Sequence, residues 1–367
     1  MNTRRRFVLA SGAVLGIGAL GRAAFSQPSP KLSVPVVDSV AVRVLVDSSY
    51  DTPRAPVSKF VKVRRSPTMS STNFRKALHN EWGLALALES RIGPDTRHLL
   101  LDYGYTPQTL MGNMEVIGFD ASRTQALVLS HGHFDHFGGL IEFLRANRSR
   151  LPQDLTLYVG GEDNFCNRKT GSGAPGHFTD WGVLDRRELE ALNVKVVKCD
   201  QPTLIEGHAF TTGSIARRSF ERVLPNTQVS YHKDANGVGC SMAAEDAKAS
   251  GQFVQDQHLN EHATCFDVKG RGLVVISSCG HAGIVNSVRQ AMEVSGGQKV
   301  HAVMGGFHLF PAPDDYVRQT VAELKALGPD VIIPLHCSGP NMAEALRAMM
   351  PEHYLPSTTG TEFTFGV

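Results

Sequence analysis

The stretch Ala126-Leu127-Val128-Leu129-Ser130-His131-Gly132-His133-Phe134-Asp135-His136 decides how the chain is read. Its first half is an apolar run of strand length, and its second half sets three imidazoles and a carboxylate within six positions. Imidazole nitrogen and carboxylate oxygen suit zinc, iron or manganese, and a strand end fixes the loop that carries them. The spacing reads as two adjacent metal positions, His131 and His133 serving one while Asp135 and His136 reach the other. Gly132, Gly138 and Gly139 let the backbone pass close to such a site before the next helix begins.

Outward from this stretch, short segments rich in Val, Ile, Leu and Ala recur at 40–46, 84–88, 99–102, 155–159, 194–197, 263–268, 274–277, 302–304 and 331–335. Apolar residues three and four apart mark helices at 140–146, 185–192, 283–295, 314–327 and 342–350, with Ile284, Val288 and Met292 as one example. Strands and helices mixed along both halves of the chain predict an α/β sandwich whose helices cover the outer faces of two sheets. Residues 233–257, with small residues among polar ones, read as a long insertion or lid.

The 367 residues include 37 basic and 35 acidic side chains, for a net charge of +2, and 42% of the chain is hydrophobic. That balance excludes disorder and collagen-like repeats and argues against a nucleic-acid partner, leaving a small-molecule substrate as the expected one. The N-terminus, Thr3-Arg4-Arg5-Arg6-Phe7-Val8 followed by a Gly-rich apolar stretch, resembles a twin-arginine signal. The resulting expectation is a signal peptide at 1–26 cut near Gln27, a Pro/Ser linker at 27–37 and one domain at 38–367. The twin-arginine export machinery would be a partner and the location periplasmic. No stable membrane anchor is expected, because a span needs about twenty strongly apolar residues. The six cysteines show no C-x-x-C pair, and their spacing assigns no bridge; buried free thiols with one or two disulfides are expected.

The His-x-His-x-Asp-His run, with Asp102-Tyr103-Gly104 ahead of it, resembles the hallmark of the metallo-β-lactamase superfamily. Within it the chain looks most like the dihydropteroate-synthase-like branch, whose members are named as synthases joining a pterin to a ribofuranosyl-aminobenzene phosphate. Trp82-Gly83-Leu84, Ile117-Gly118-Phe119-Asp120 and Thr212-Gly213-Ser214-Ile215 carry that closer match. So do Ser278-Cys279-Gly280-His281-Ala282-Gly283, Gly305-Gly306-Phe307-His308-Leu309 and Leu335-His336-Cys337-Ser338-Gly339. The resemblance implies an αββα sandwich of two mixed β-sheets covered by helices, with a dinuclear metal site at one edge. Two zinc ions are expected there, iron or manganese being alternatives.

His281 and His336, each just after an apolar strand, join His131, His133, Asp135 and His136 as expected metal ligands. Asp135 is also the expected catalytic group, orienting or deprotonating a water. His308, Cys279, Asp256 and Asp102 are expected as supporting or substrate-facing residues. Ordinary superfamily members carry a further histidine and a bridging aspartate; His177 and His208 lie in the interval of the first but read as ordinary loop residues. Cys279 or His281 stands near the place of the second. Phe134, Trp181, Phe307 and Phe310 are candidate pocket aromatics, read first as packing.

These features predict an exported metal-dependent hydrolase acting on an ester, lactone, amide or phosphoester-type small molecule. The alternatives are a pterin-type synthase, as in the named branch, or a non-catalytic metal-dependent binding protein. A nucleic-acid-processing role is disfavoured by the balanced charge.

Overall fold

Alternation along an apolar strand sends its side chains to two faces, so each strand can serve a central layer and an outer layer at once. The computed structural model describes residues 31–49, 55–171, 173, 176–224, 227–242 and 251–366. The export signal read at 1–26, the start of the linker and 243–250 of the segment read as a lid lie outside the described residues.

The first sheet comprises β2 (Ser39–Val46), β3 (Lys62–Arg65), β4 (Ala85–Ile92), β5 (Asp95–Leu101), β6 (Ala126–Leu129), β7 (Thr156–Val159), β10 (Lys195–Lys198) and β19 (Thr361–Phe365). Their order is β10-β7-β6-β5-β4-β2-β19-β3. The second comprises β1 (Val36–Val37), β11 (Leu204–Ile205), β12 (Ala209–Thr211), β15 (Thr264–Val268), β16 (Gly272–Ser277), β17 (Val300–Gly306) and β18 (Val331–Leu335). Here the order is β11-β12-β15-β16-β17-β18, with β1 also against β15. Both sheets mix parallel and antiparallel pairs: β5, β6 and β7 run parallel, as do β16, β17 and β18, whereas β4 with β5 and β15 with β16 are antiparallel.

Between the sheets, Val42, Val44, Leu86, Leu88, Leu99 and Val128 meet Phe266, Ile276, Met304 and Ile333 in one buried cluster. Each such side chain contributes about 1.5–3 kcal/mol when removed from water. The alternate residues Leu100, Leu127 and Leu129 pack instead against α1 (Pro107–Ile117), α3 (Leu140–Asn147) and α4 (Arg186–Ala191). On the far side, Leu273, Val275 and Val303 pack against α5 (Ile284–Ser295), α6 (Asp314–Leu327) and α7 (Gly339–Met349). The expected αββα layering is thus the observed one.

Two features depart from the sequence reading. A third sheet, β14-β13-β8-β9, is built from β8 (Asn167–Gly171), β9 (Phe178–Asp180), β13 (Thr227–Ser230) and β14 (Val254–Gln255). Its strands are short and largely polar, so no alternation announces them, and β14 falls in the segment read as a lid. The disulfide Cys166–Cys240 lies beside this sheet. Helix α1 was also not anticipated, although its signals are present: Thr106 caps it by accepting from the Thr109 N–H at 3.3 Å, Pro107 opens it, and Gly118 closes it at φ 74°.

Candidate metal centre

Side chains that follow the carboxyl ends of parallel strands are brought to one edge of the sandwich. After β6 come His131, His133, Asp135 and His136, the last two inside the single-turn α2 (Phe134–Phe137). After β16 come Cys279 and His281, after β17 His308, and after β18 His336 and Cys337. All are buried. The His131 ring centre lies 4.5 Å from that of His133, 4.3 Å from His136 and 5.0 Å from His281. His336 closes the group, with Nε2 3.2 Å from Asp135 Oδ2.

Supporting contacts turn these groups toward one another. Asp102 accepts from the Ser130 N–H at 2.9 Å and from its hydroxyl at 2.8 Å, and its Oδ2 lies 2.7 Å from His136 Nδ1. The carboxylate therefore holds one ring nitrogen of His136 and leaves Nε2 directed inward, the arrangement by which an outer carboxylate orients a metal-ligating imidazole. Ser48 Oγ does the same for His336 Nδ1 at 3.0 Å, and Asp47 accepts the His336 N–H at 2.7 Å. His308 and His336 both hold φ near +47°, a conformation that a non-glycine residue keeps only where the surroundings enforce it.

The donor set fits a cation. Among the described residues, His131 Nε2, His136 Nε2, both ring nitrogens of His281 and Asp135 Oδ1 are buried without a hydrogen-bond partner. Leaving that many polar atoms unmatched is costly unless something binds them. The sets His131–His133–His281 and His131–His136–Cys279 each bring their ligand atoms within 4.8 Å of one another. Burial keeps His131 and His281 well below the usual imidazole value, reinforced by the neighbouring rings, and lowers His133 to about 4 against the pull of Asp256. These rings are neutral and offer lone pairs. Burial would raise Asp135, but His136 and His336 outweigh it and hold it below the carboxylate range. Burial would lower His336, yet Cys337 and Asp135 lift it to about 9, so a cation bound there would displace its proton.

All six expected ligands meet here, as do Asp102, Cys279, His308 and Asp256. Asp256, expected as a supporting or substrate-facing residue, is buried, bonded at 2.6 Å to Arg168 Nε, with Oδ2 3.7 Å from His133 Nε2. His208 stays away from the site, with Nδ1 3.0 Å from Ser90 Oγ, and His177 is exposed. Of the aromatics, Phe307 is core, while Trp181 lies 4.6 Å from the His133 ring.

Three members were missed. His258 stacks on His281 at 3.8 Å and forms a further donor group with His133 and Asp256. The signal was its place two residues after Asp256. Cys337 directly follows His336, and its sulfur lies 3.1 Å from that of Cys279. Arg168 gave no signal, since its partners are distant in sequence.

The chain is a helix-covered double sheet with a buried histidine and carboxylate cluster at one edge, and a known protein shares that fold. Residues 91–197 match the model of the Metallo-beta-lactamase superfamily. A solved structure described as a metal-dependent hydrolase of the beta-lactamase superfamily shares the fold, with a TM-score of 0.61 at 20% identity, covering 88% of this chain and 98% of that one. Among curated proteins, the 7,8-dihydropterin-6-methyl-4-(beta-D-ribofuranosyl)-aminobenzene-5'-phosphate synthase of Methanocaldococcus jannaschii is 26% identical over 263 residues, 71% of this chain and 82% of the relative. An uncharacterised protein of the same organism is 25% identical over 254 residues, 67% of this chain and 80% of the relative.

Proposed function

We propose that the chain is an exported metal-dependent hydrolase acting on an ester, lactone, amide or phosphoester-type small molecule. The observation that carries this reading is the convergence of His131, His133, Asp135, His136, His281 and His336, with buried donor atoms left unmatched by the protein itself. These six residues would hold two divalent cations, zinc before iron or manganese. Such cations supply Lewis-acid polarisation of a carbonyl or phosphoryl oxygen and lower the pKa of water.

The chain's own residues do the rest. Asp135, kept charged by the imidazoles around it, would orient the attacking water through Oδ1, which is buried without a hydrogen-bond partner. Asp102 and Ser48 hold His136 and His336 in place, so the groups need no rearrangement when substrate arrives. The reading includes export to the periplasm by the twin-arginine machinery, and the Cys166–Cys240 bridge supports an oxidising compartment. Among the described residues no helix is long and apolar enough to cross a membrane.

Similarity to the pterin-related synthase over most of its length favours a second reading, a transferase forming a carbon–nitrogen bond at the same site. Elemental analysis of the protein and of His133→Ala, His281→Ala and His336→Ala comes first. About two metals per chain in the parent, falling in all three variants together with turnover of an ester, lactone and phosphodiester panel, is the expected result. A parent without tightly bound metal overturns the reading. Full metal with no hydrolysis of any panel member moves the assignment to the synthase or to a metal-dependent binding protein.

A further inference from the structure

A cleft of about 530 Å³, within the range of small-molecule sites, has the metal-centre residue His336 in its wall. Clefts of about 140 and 220 Å³ elsewhere on the surface include no member of the cluster, and one of about 10 Å³ beside His281 and His308 has room for no more than a water. Two large aromatic side chains border this cleft and stand out in solvent, Trp82 at 46% and Phe310 at 60% exposure. Their rings meet edge to face at 6.0 Å, and the Trp82 ring lies 5.0 Å from that of His336.

Both rings are mounted on backbone that also carries the site. Next to Trp82, a Cβ on Gly83 would come 2.7 Å from the Asp135 carbonyl oxygen, and the Leu84 N–H donates to that oxygen at 3.3 Å. Phe310 donates its N–H to the Cys337 carbonyl at 3.1 Å, and a Cβ on Gly339 would come 2.8 Å from Phe310 Cα. The backbone beneath the two rings is thus tied to that of Asp135 and Cys337. Among the described residues no acidic side chain lines the cleft, and Arg347 contributes a guanidinium. That group donates to the Tyr354 hydroxyl at 3.2 Å and lies over its ring, with no carboxylate partner among the described residues.

We infer that this cleft is the substrate-specificity pocket, and that it takes an aromatic group bearing an anionic substituent. The ring lies against Trp82 and Phe310, the anion turns to Arg347, and the reacting bond falls at the His336 end. Stacking on a rigid indole and a charge-assisted bond to a guanidinium are the recognition such a wall offers. The assignment deepens the hydrolase reading and rests on it only for the reacting bond; the binding itself can be measured without turnover.

The test is calorimetric titration of the metal-loaded full chain with naphthalene-2-carboxylate, its neutral carboxamide and cyclohexanecarboxylate. The naphthoate is expected to bind best, with affinity about tenfold lower in Trp82→Ala or Phe310→Ala and largely kept in Trp82→Phe. Arg347→Ala is expected to bring the naphthoate down to the level of its carboxamide. Naphthoate affinity unchanged in all three alanine variants overturns the pocket. If the aromatic variants lose affinity while Arg347→Ala does not, the anionic half of the assignment is overturned. Hydrolysis of small alkyl esters without naphthoate binding leaves the hydrolase reading standing and removes the pocket. Trp82-dependent binding in a protein that hydrolyses nothing does the reverse.

Discussion

Arg168 shows how much of the site depends on a residue that ligates nothing. Its buried guanidinium bonds Asp256 Oδ2 through Nε at 2.6 Å, reaches an Asp163 side-chain oxygen through Nη2, and donates to the Asp163 and Gly132 carbonyls at 2.9 and 3.2 Å. A Cβ at position 132 would lie 2.5 Å from Arg168 Nη1, so the glycine between His131 and His133 is what lets the guanidinium reach that loop. Removing it leaves two buried carboxylates without a counter-charge. Arg168→Ala is therefore expected to lower unfolding free energy by about 3–5 kcal/mol, read from urea unfolding, and to reduce bound metal by freeing Asp256 and the His131–His133 backbone. Unchanged stability would mean the triad carries no net energy. The six proposed ligands were legible because they cluster in sequence or follow apolar strands. Arg168 was not, because Gly132 lies 36 residues away and Asp256 lies 88 away.

At the scale of elements, the sequence disclosed most segments with a periodic buried face, α1 with its buried Leu110, Met114 and Val116 being an exception. The strands β2, β4, β5, β6, β16, β17 and β18 and the helices α3, α5 and α6 carry periodic apolar residues, because a two-residue or a three-to-four-residue repeat is how each buries one side. The four strands of the third sheet have no such repeat, as Asn167–Gly171 and Thr227–Ser230 show, and hold together through pairing with one another. Polar strands can also be tied by charge. Glu362 on β19 accepts from Arg43 Nε on β2 at 2.8 Å and from Arg64 Nε on β3 at 2.9 Å, fastening three strands at the sheet edge. Burial would raise its pKa, but the two guanidinium groups outweigh that and lower it. A depressed folded-state pKa means that the contribution is complete above the unfolded value and disappears as pH falls through the folded one. Because Arg64 is 63% exposed and solvent screens the pair, the effect is on the order of 1 kcal/mol. Glu362→Gln should thus be less stable than the parent at pH 7, and the gap should close under acid as both are unfolded in urea at a series of pH values. A gap constant with pH would assign the effect to packing instead of charge.

For the whole molecule, the layered sandwich was legible because its three clusters follow from alternation alone, whereas the cross-link that joins distant loops was not. Cys166 and Cys240 are 74 residues apart, lie in the cluster on the outer face of the first sheet, and flank the strands of the third. Spacing could not pair them, since six cysteines allow many pairings; proximity in the fold does. Closing a loop of that length restricts the unfolded chain by about 4 kcal/mol in the chain-entropy account, a large share of a domain's net stability. Cys199, Cys265, Cys279 and Cys337 remain free and buried. Thiol titration under denaturing conditions is therefore expected to find four reactive groups in protein recovered after export, and six in protein held in a reducing cytosol. The bridged form should unfold at clearly higher urea than the same protein with dithiothreitol. Six thiols in the exported protein would remove the bridge, and with it the structural support for an oxidising compartment. Four thiols with no stability gain would show that the third sheet is already held by its own pairing.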